Sequence, residues 1–537
     1  MNLAGLSLSL STPRGGGSSA RTGTSATTYS VAGTRLRFPV QTSNITDAGA
    51  ATLTNHMGQV VFWSPDYEIT DPRFYFANYW QLSSAVEVAC ASSIIIDGLS
   101  MRIDAGNWIR DDTSYPVTIA TGDNGGWTPA LTATIPANSK ITLRFAWHVP
   151  TLSGTLAVPI VNNWLFNTIT GTAATSDATR ADTAANAATF LSTYLPANGA
   201  SGNGSTLGNG AGSLWLPPAM MIAKGGDGRP AILCIGDSIL YGTGGSLTQN
   251  NYTARGEFGY IPVGLDDNAA TQRIAYCNLG VPGSAPTTWG SSKAAYWAKK
   301  AAATQAVYDE YGYWPFDYVI NQHGENSVPN LMTGSNPSTN LATFYTDMAA
   351  QWPGVPIVQV ELIPRVTSSD LYATVANQTA AADNLYPTGD RWVFNAAAAA
   401  GGSLRTGGYI SESIAAWSVG SADQADDRDK LAVAGNVGTT LSSDYTTGTN
   451  SMVTAATIPV GAAIKIPSPA TGYFNVSAVA APDFTLTVQR VSSSGSALTG
   501  AVVHEVPTGD DVHPSSRWHR SVWSAAITDW KTTKGWV

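Results

Sequence analysis

The run ILCIGDSILYGTGG, residues 232 to 245, sets four apolar residues ahead of Gly-Asp-Ser and then enters a glycine-rich loop. Ser238 falls just past the end of an expected strand, where it is either a nucleophile or a solvated turn residue behind a helix-capping Asp237. The chemistry open to a serine there is acyl transfer. Its hydroxyl is a poor nucleophile until an imidazole removes the proton, and the imidazole needs a carboxylate to fix its tautomer and stabilise its charge. The tetrahedral intermediate then carries an oxyanion, which calls for preorganised N–H donors.

Those partners must be positioned by a large scaffold. A chain of 537 residues is too long for one core and implies about three or four domains at roughly 150 residues each. Charged residues make up only 12%, apolar ones 43%, and there are 53 Gly. That balance suits β-rich extracellular or virion proteins better than cytosolic enzymes. The formal charge of −9 comes with no basic counter-patch, so nucleic acid is not an expected partner. Cys90, Cys234 and Cys277 form no metal-like CxxC pair and read as buried thiols rather than a disulfide framework. The opening MNLAGLSLSLSTPRGGGSSARTGTS lacks a basic n-region and is not read as a secretory signal. No segment reaches the roughly 18 consecutive apolar residues of a membrane helix. The expectation is a soluble protein, extracellular or virion-associated, with a flexible arm over residues 1–33.

From Thr34 the pattern has period two. TRLRFPV, QVVFWS, RFYFANYW, SIIIDGLSMRID, YPVTIATGD and SKITLRFAWHVP alternate apolar with polar residues between turn signals, so 34–170 is expected to be an all-β sandwich. Residues 171–225 combine an Ala-rich helical segment with a Gly/Ser/Asn linker. After Arg229 short apolar runs (AILCI, RIAYCNLG, FDYVINQ, VPIVQVEL, RWVFNA) alternate with helical stretches (KAAYWAKKAAATQAVYDEYG, TNLATFYTDMAAQW, DLYATVANQTAAADNLY). This predicts a parallel sheet with helices on both faces, over 226–429 and resuming at 508–537. Ligands of such sheets bind at the carboxyl ends of the strands, where Ser238 falls. Between them, 430–507 reads as a small β insert carrying AAIKIPS, YFNVSAVA, FTLTVQRV and AVVHEVP. SSRWHRSVWSAAITDWKTT closes the chain as a helix that Ser515 or Ser516 would cap.

Four blocks carry a family resemblance: GDSI at 236–239, NLGVPG at 278–283, HGEN at 323–326 and DDVH at 510–513. In this order they resemble the GDSL-type, or SGNH, hydrolases, over about half the chain. The resemblance implies an α/β fold of the SGNH three-layer type. It also implies Ser238 as nucleophile, Gly283 and Asn326 as oxyanion-hole donors beside the Ser238 N–H, and His513 with Asp510 as base and orienting carboxylate. Asp510 and His513, three apart, can supply both from one turn, and glycine at 283 lets the backbone approach substrate closely. The family's third block carries Asp after Asn. Here Ser327 follows Asn326, which leaves open what supports the Asn326 side chain.

Each residue also has a plainer reading. Gly280 and Gly283 could merely shape a loop, and Asn326 could be an ordinary turn residue. His504, His519 and His323 are rivals to His513, and Asp511 is the rival to Asp510. His323 and Glu325 are candidates to line the substrate site, as are Tyr473 and Phe474, which with His504 would be exposed on the insert as one wall of the cleft. Trp63, Trp80 and Trp147 read as sandwich core rather than sugar platforms. The resulting expectation is a serine ester hydrolase needing neither metal nor organic cofactor, acting on a carbohydrate O-acetyl ester of a polysaccharide. The alternatives are a short-chain esterase or lipase, or a virion adsorption protein whose hydrolase-like domain only binds glycans. A homo-oligomer or a virion assembly is compatible with either.

Overall fold

ILCI at 232–235 is apolar at every position, as a strand covered on both faces requires. In the computed structural model this strand, Ile232–Ile235, is buried throughout. It lies inside a five-stranded parallel sheet in the order Tyr276–Asn278, Ile232–Ile235, Tyr318–Asn321, Ile357–Val360, Gly408–Ile410. The structure describes residues 23–38, 55–81, 86–90, 92–150, 178–182, 187–201, 207, 216–242, 255, 259–266, 273–285, 293–326, 337–370, 376–382, 388–400, 408–410, 438–443, 445–446, 451–458, 463–466, 471–480, 485–494, 497, 502–506 and 524–536.

Successive side chains of a strand point to opposite faces, and here they divide between two cores. Leu233, Ile235, Val319 and Ile357 pack with Trp297 and Val307 of the helix Lys293–Tyr311 and with Leu341, Phe344 and Met348 of the helix Pro337–Gln351. Ile232, Cys234, Ile320 and Val358 pack on the other face with Tyr260, Leu265, Ile527 and Trp530. Cys234 and Cys277 therefore sit on adjacent strands but in different cores, and both are free thiols, as is Cys90. Among the described residues no helix is long and apolar enough to cross a membrane.

Antiparallel sheets nevertheless dominate the chain. One contains Ser25–Val31, Met220–Gly225, Ile69–Ala77 and Thr134–Ile135 in that order, with Gly125–Trp127 also on Ile69–Ala77. A second runs Ala178–Asp182, Asn55–Trp63, Lys140–His148, Ile94–Ile103, Trp108–Arg110. Phe74, Phe76, Met221 and Ala223 of the first meet Val60, Phe62, Leu143, Phe145, Leu99 and Met101 of the second in a sandwich core. The first sheet is not solvated behind. Tyr75, Ala77, Met220, Ile222, Tyr29 and Val31 belong to the same core as Leu233, Ile235 and Val319 of the parallel sheet. Trp147 is fully buried in the sandwich core, whereas Trp63 packs with Val61 apart from that core and Trp80 is half-buried on the two-stranded hairpin Tyr79–Gln81/Glu87–Ala89, so the core reading holds for Trp147 alone.

Several expected elements take other places. Ser25–Val31, in the stretch read as a flexible arm, is a strand, and so is Met220–Gly225 in the stretch read as a linker. The described part of TRLRFPV, Thr34–Phe38, is not a strand of the sandwich sheets. It runs beside the edge strand of the parallel sheet, with Arg37 bridged in parallel to Asn278 and the Asn278 N–H donating to Leu36 O at 3.3 Å. RWVFNA is helical, within Asp390–Ala400, because Arg391, Phe394, Asn395 and Ala398 are buried at helical spacing. The fifth parallel strand is Gly408–Ile410 instead. DLYATVANQTAAADNLY was Ala-rich enough to suggest a helix, but its described part carries the strand Gln378–Ala380, paired with Val366–Ser368. The insert forms a six-stranded antiparallel sheet, Gly438–Thr440, Val502–Val506, Ala463–Ile466, Thr471–Ala480, Thr485–Ser494, Ser451–Val453. Its core of Leu441, Tyr445, Met452, Ile464, Phe474, Val476, Leu486 and Val503 is its own.

Candidate active site

The three central loops leave the carboxyl ends of neighbouring parallel strands. Ile232–Ile235 leads to Ser238, and the strands that flank it, Tyr276–Asn278 and Tyr318–Asn321, lead to Gly283 and Asn326. The register ties the loops at their base. Leu279 N–H donates to Cys234 O at 2.8 Å, Val281 N–H to Gly236 O at 2.9 Å and Gln322 N–H to Ile235 O at 2.9 Å.

Ser238 opens the short helix Ser238–Tyr241 and is 7% exposed. Asp237 caps it, its Oδ1 accepting from the Ile239 N–H at 2.9 Å. Gln322 Oε1 holds the same turn from the other side, accepting from the Asp237 and Leu240 N–H groups at 3.2 and 3.1 Å. Glycine at 236 is a packing requirement, because a Cβ there would stand 2.7 Å from Leu240 Cβ and 2.8 Å from Gln322 Oε1. Asn278 fixes the helix end by donating its Nδ2 to Leu240 O at 3.0 Å.

VPGS at 281–284 is a turn closed by the Ser284 N–H donating to Val281 O at 3.0 Å. Proline in second place and glycine in third with φ +77° fit a type II turn. The closing bond uses the Ser284 N–H, and among the described residues none accepts from the Gly283 N–H, which sits on an exposed residue. The Asn326 Nδ2 donates to the Ser284 carbonyl at 3.0 Å. That contact answers what supports the Asn326 amide where Ser327 replaces the family's Asp: the turn of the second block holds it.

His323 and Glu325 are corrected by burial. His323 is fully buried, edge-on to Trp297 and Phe344, so it does not line a substrate surface. Its Nδ1–H donates to Asn321 Oδ1 at 2.9 Å, since the Asn321 Nδ2 is committed to Gln359 Oε1. Its Nε2 faces Ser284 Oγ at 2.8 Å. Burial lowers its pKa to about 3 and keeps the ring neutral. Glu325 is also buried, with Oε1 accepting from the Ile363 N–H at 3.1 Å. Burial first, and then the Asp237 carboxylate, raise it to about 8 against the pull of Arg365 and Arg391.

Phe474 is corrected as well. It is fully buried in the insert's core, edge-on to Tyr445, and cannot wall a cleft. The side chains of Tyr473 and His504 lie outside the described residues, as do Asp510, Asp511, His513 and His519. Sequence reasoning missed Gln322 and Ser284. A polar residue next to a motif position was the only signal, and many loops carry one.

No family model matches the chain, and no curated protein does. Among solved structures it is similar to a carbohydrate esterase family 2 enzyme with its carbohydrate binding domain from Corynascus thermopiles (Myceliophthora fergusii), at 14% identity and a TM-score of 0.24, over 65% of this chain and 89% of that one. A possible lipase from Chitinophaga pinensis gives 14% identity and a TM-score of 0.27, over 57% of this chain and all of that one. A carbohydrate acetylesterase from Sinorhizobium meliloti gives 12% and 0.22, over 37% and 89%. Likenesses at these TM-scores carry no argument, so what this chain does rests on its own residues.

Proposed function

We propose that the chain is a serine ester hydrolase of the GDSL, or SGNH, kind, working through an acyl-enzyme on Ser238. The observation that supports it most is the convergence at one sheet end: a serine opening a capped helix turn, an exposed turn glycine whose N–H no described residue takes up, and an asparagine amide fastened to that same turn. In the reaction the Ser238 Oγ attacks the ester carbonyl while its proton passes to His513, which Asp510 orients. The carbonyl π electrons move to oxygen, where the Gly283 and Ser238 N–H groups and the Asn326 amide receive the charge. Collapse expels the alcohol, which takes the proton from His513. Water activated by the same imidazole then releases the acid and restores Ser238.

A carbohydrate O-acetyl ester of a polysaccharide is the proposed substrate, on the strength of the four-block resemblance together with a β-sandwich built into the same core. The test is a panel of p-nitrophenyl esters of increasing chain length beside acetylated polysaccharides. Acetate release from the polymer, and loss of turnover by several orders of magnitude in Ser238→Ala, is the expected result. A Ser238→Ala variant keeping a tenth of the activity would place the nucleophile elsewhere, and no turnover on any ester would leave a glycan-binding protein.

A further inference from the structure

Ser327, not a carboxylate, follows Asn326, and a hydroxyl residue, Ser284, follows the second block. Ser284 follows Gly283 directly and is 1% exposed. Its polar groups engage its own turn and the loops on either side. Its N–H closes the turn that presents Gly283, through Val281 O at 3.0 Å. Its carbonyl accepts from Asn326 Nδ2 at 3.0 Å. Its hydroxyl lies 3.2 Å from Gly236 O, in the loop that leads to Ser238, and 2.8 Å from His323 Nε2.

We infer that Ser284 is a positioning residue for the oxyanion hole, tying the Gly283 turn, the Asn326 amide and the Ser238 loop into one rigid frame. The inference rests on the esterase reading above. A hydroxyl has one proton, so its acceptors define its state. With His323 Nδ1–H committed to Asn321, Nε2 is a lone pair that accepts the Ser284 O–H, and Gly236 O shares the same proton in a longer, three-centre bond. His323 is thereby an anchor for Ser284 rather than a base. Its own ring is wedged between Trp297 and Phe344 on the two long helices behind the sheet, so the frame is referred back to the core. Oxyanion donors act by being held in place before charge develops, so misplacement by a fraction of an ångström registers in kcat rather than in substrate binding.

The experiment is steady-state hydrolysis of p-nitrophenyl acetate by the full chain. Ser284→Ala should lower kcat by about ten- to a hundredfold and leave KM within about twofold. In an Asn326→Ala background the same substitution should cost less than about threefold, because the two act as a unit. Ser284→Cys, close in size and a weak donor, should recover part of kcat, and it carries the test if Ser284→Ala does not fold. An unchanged kcat in either variant, a change confined to KM, or equal losses with and without Asn326 would overturn the inference while Ser238→Ala remains inactive. Activity surviving Ser238→Ala would instead overturn the esterase reading and this inference with it.

Discussion

Two antiparallel β regions attach to the same parallel sheet, and they attach in opposite ways. The sandwich sheet of Ser25–Val31, Met220–Gly225 and Ile69–Ala77 is apolar on both faces, one side filling the sandwich and the other filling a core shared with Leu233, Ile235 and Val319. The late insert keeps its apolar residues to itself: among the described residues, none of the parallel sheet or its helices joins its core. A shared core makes two domains one cooperative unit, and a private core leaves a domain able to melt or be removed alone. The polar contacts repeat the pattern. Lys300, fully buried on the long helix, pairs at 3.0 Å with Glu87 of the hairpin Tyr79–Gln81/Glu87–Ala89, which follows the sandwich strand Ile69–Ala77, beside Gln81 and the rings of Tyr79 and Trp297.

That contrast breaks most sharply at Lys300. Lys300→Met strands the Glu87 carboxylate in the core and should cost about 3 to 5 kcal/mol. Sandwich and parallel-sheet unit should lose stability together, in one calorimetric transition, and a sandwich transition that moves alone would refute the shared core. The next test matches two deletions of similar chemistry. Met220→Ala and Ile464→Ala should each cost about 2 to 5 kcal/mol, but the first should lower the melting point of ester hydrolysis and the second should lower only the insert's own transition. Replacing the insert, about 430 to 507, with a Gly/Ser linker should leave kcat/KM on p-nitrophenyl acetate within about threefold, since the described site lies outside it, while activity on the polymer falls through KM. Loss of both, with the sheet still folded, would mean that the insert places the Asp510 and His513 loop.

The smallest effect is electrostatic. Glu325 is held protonated by burial and by Asp237, with Arg365 and Arg391 opposing, so its pKa lies at about 8 in the folded chain. A raised pKa adds stability that is full below the unfolded value and is lost as pH rises through about 8. The melting point of the parallel-sheet unit should therefore decline between about pH 5 and 8. Glu325→Gln, which mimics the neutral acid, should flatten that decline. The insert's transition should show no such change, and an unaltered slope in Glu325→Gln would remove Glu325 as its source.

Legibility in the sequence follows the range of the forces involved. ILCI and YFNVSAVA could be read because covered strands and alternating strands leave local patterns. RWVFNA was misread because a short apolar run fits two periods, and only the packing of Phe394 and Ala398 against the long helices selects the helical one. TRLRFPV carried the right alternation but no label for its sheet. Phe474 looked exposed on its strand because alternation marks two faces without saying which one is covered.

The sequence by itself determined the positions of Ser238, Gly283 and Asn326 at the ends of successive strands, because strand, turn and glycine signals act over a few residues. It also determined the VPGS turn, whose proline and glycine set their own backbone angles. Only the tertiary structure decided that Ser284 joins three loops, that His323 is a buried neutral anchor rather than a cleft residue, and that, among the described residues, the sandwich shares the core of the parallel sheet while the insert does not. Those outcomes depend on burial and on hydrogen bonds between segments about 40 to 50 residues or more apart, and a desolvated group takes its protonation and its role from neighbours that the local sequence does not name.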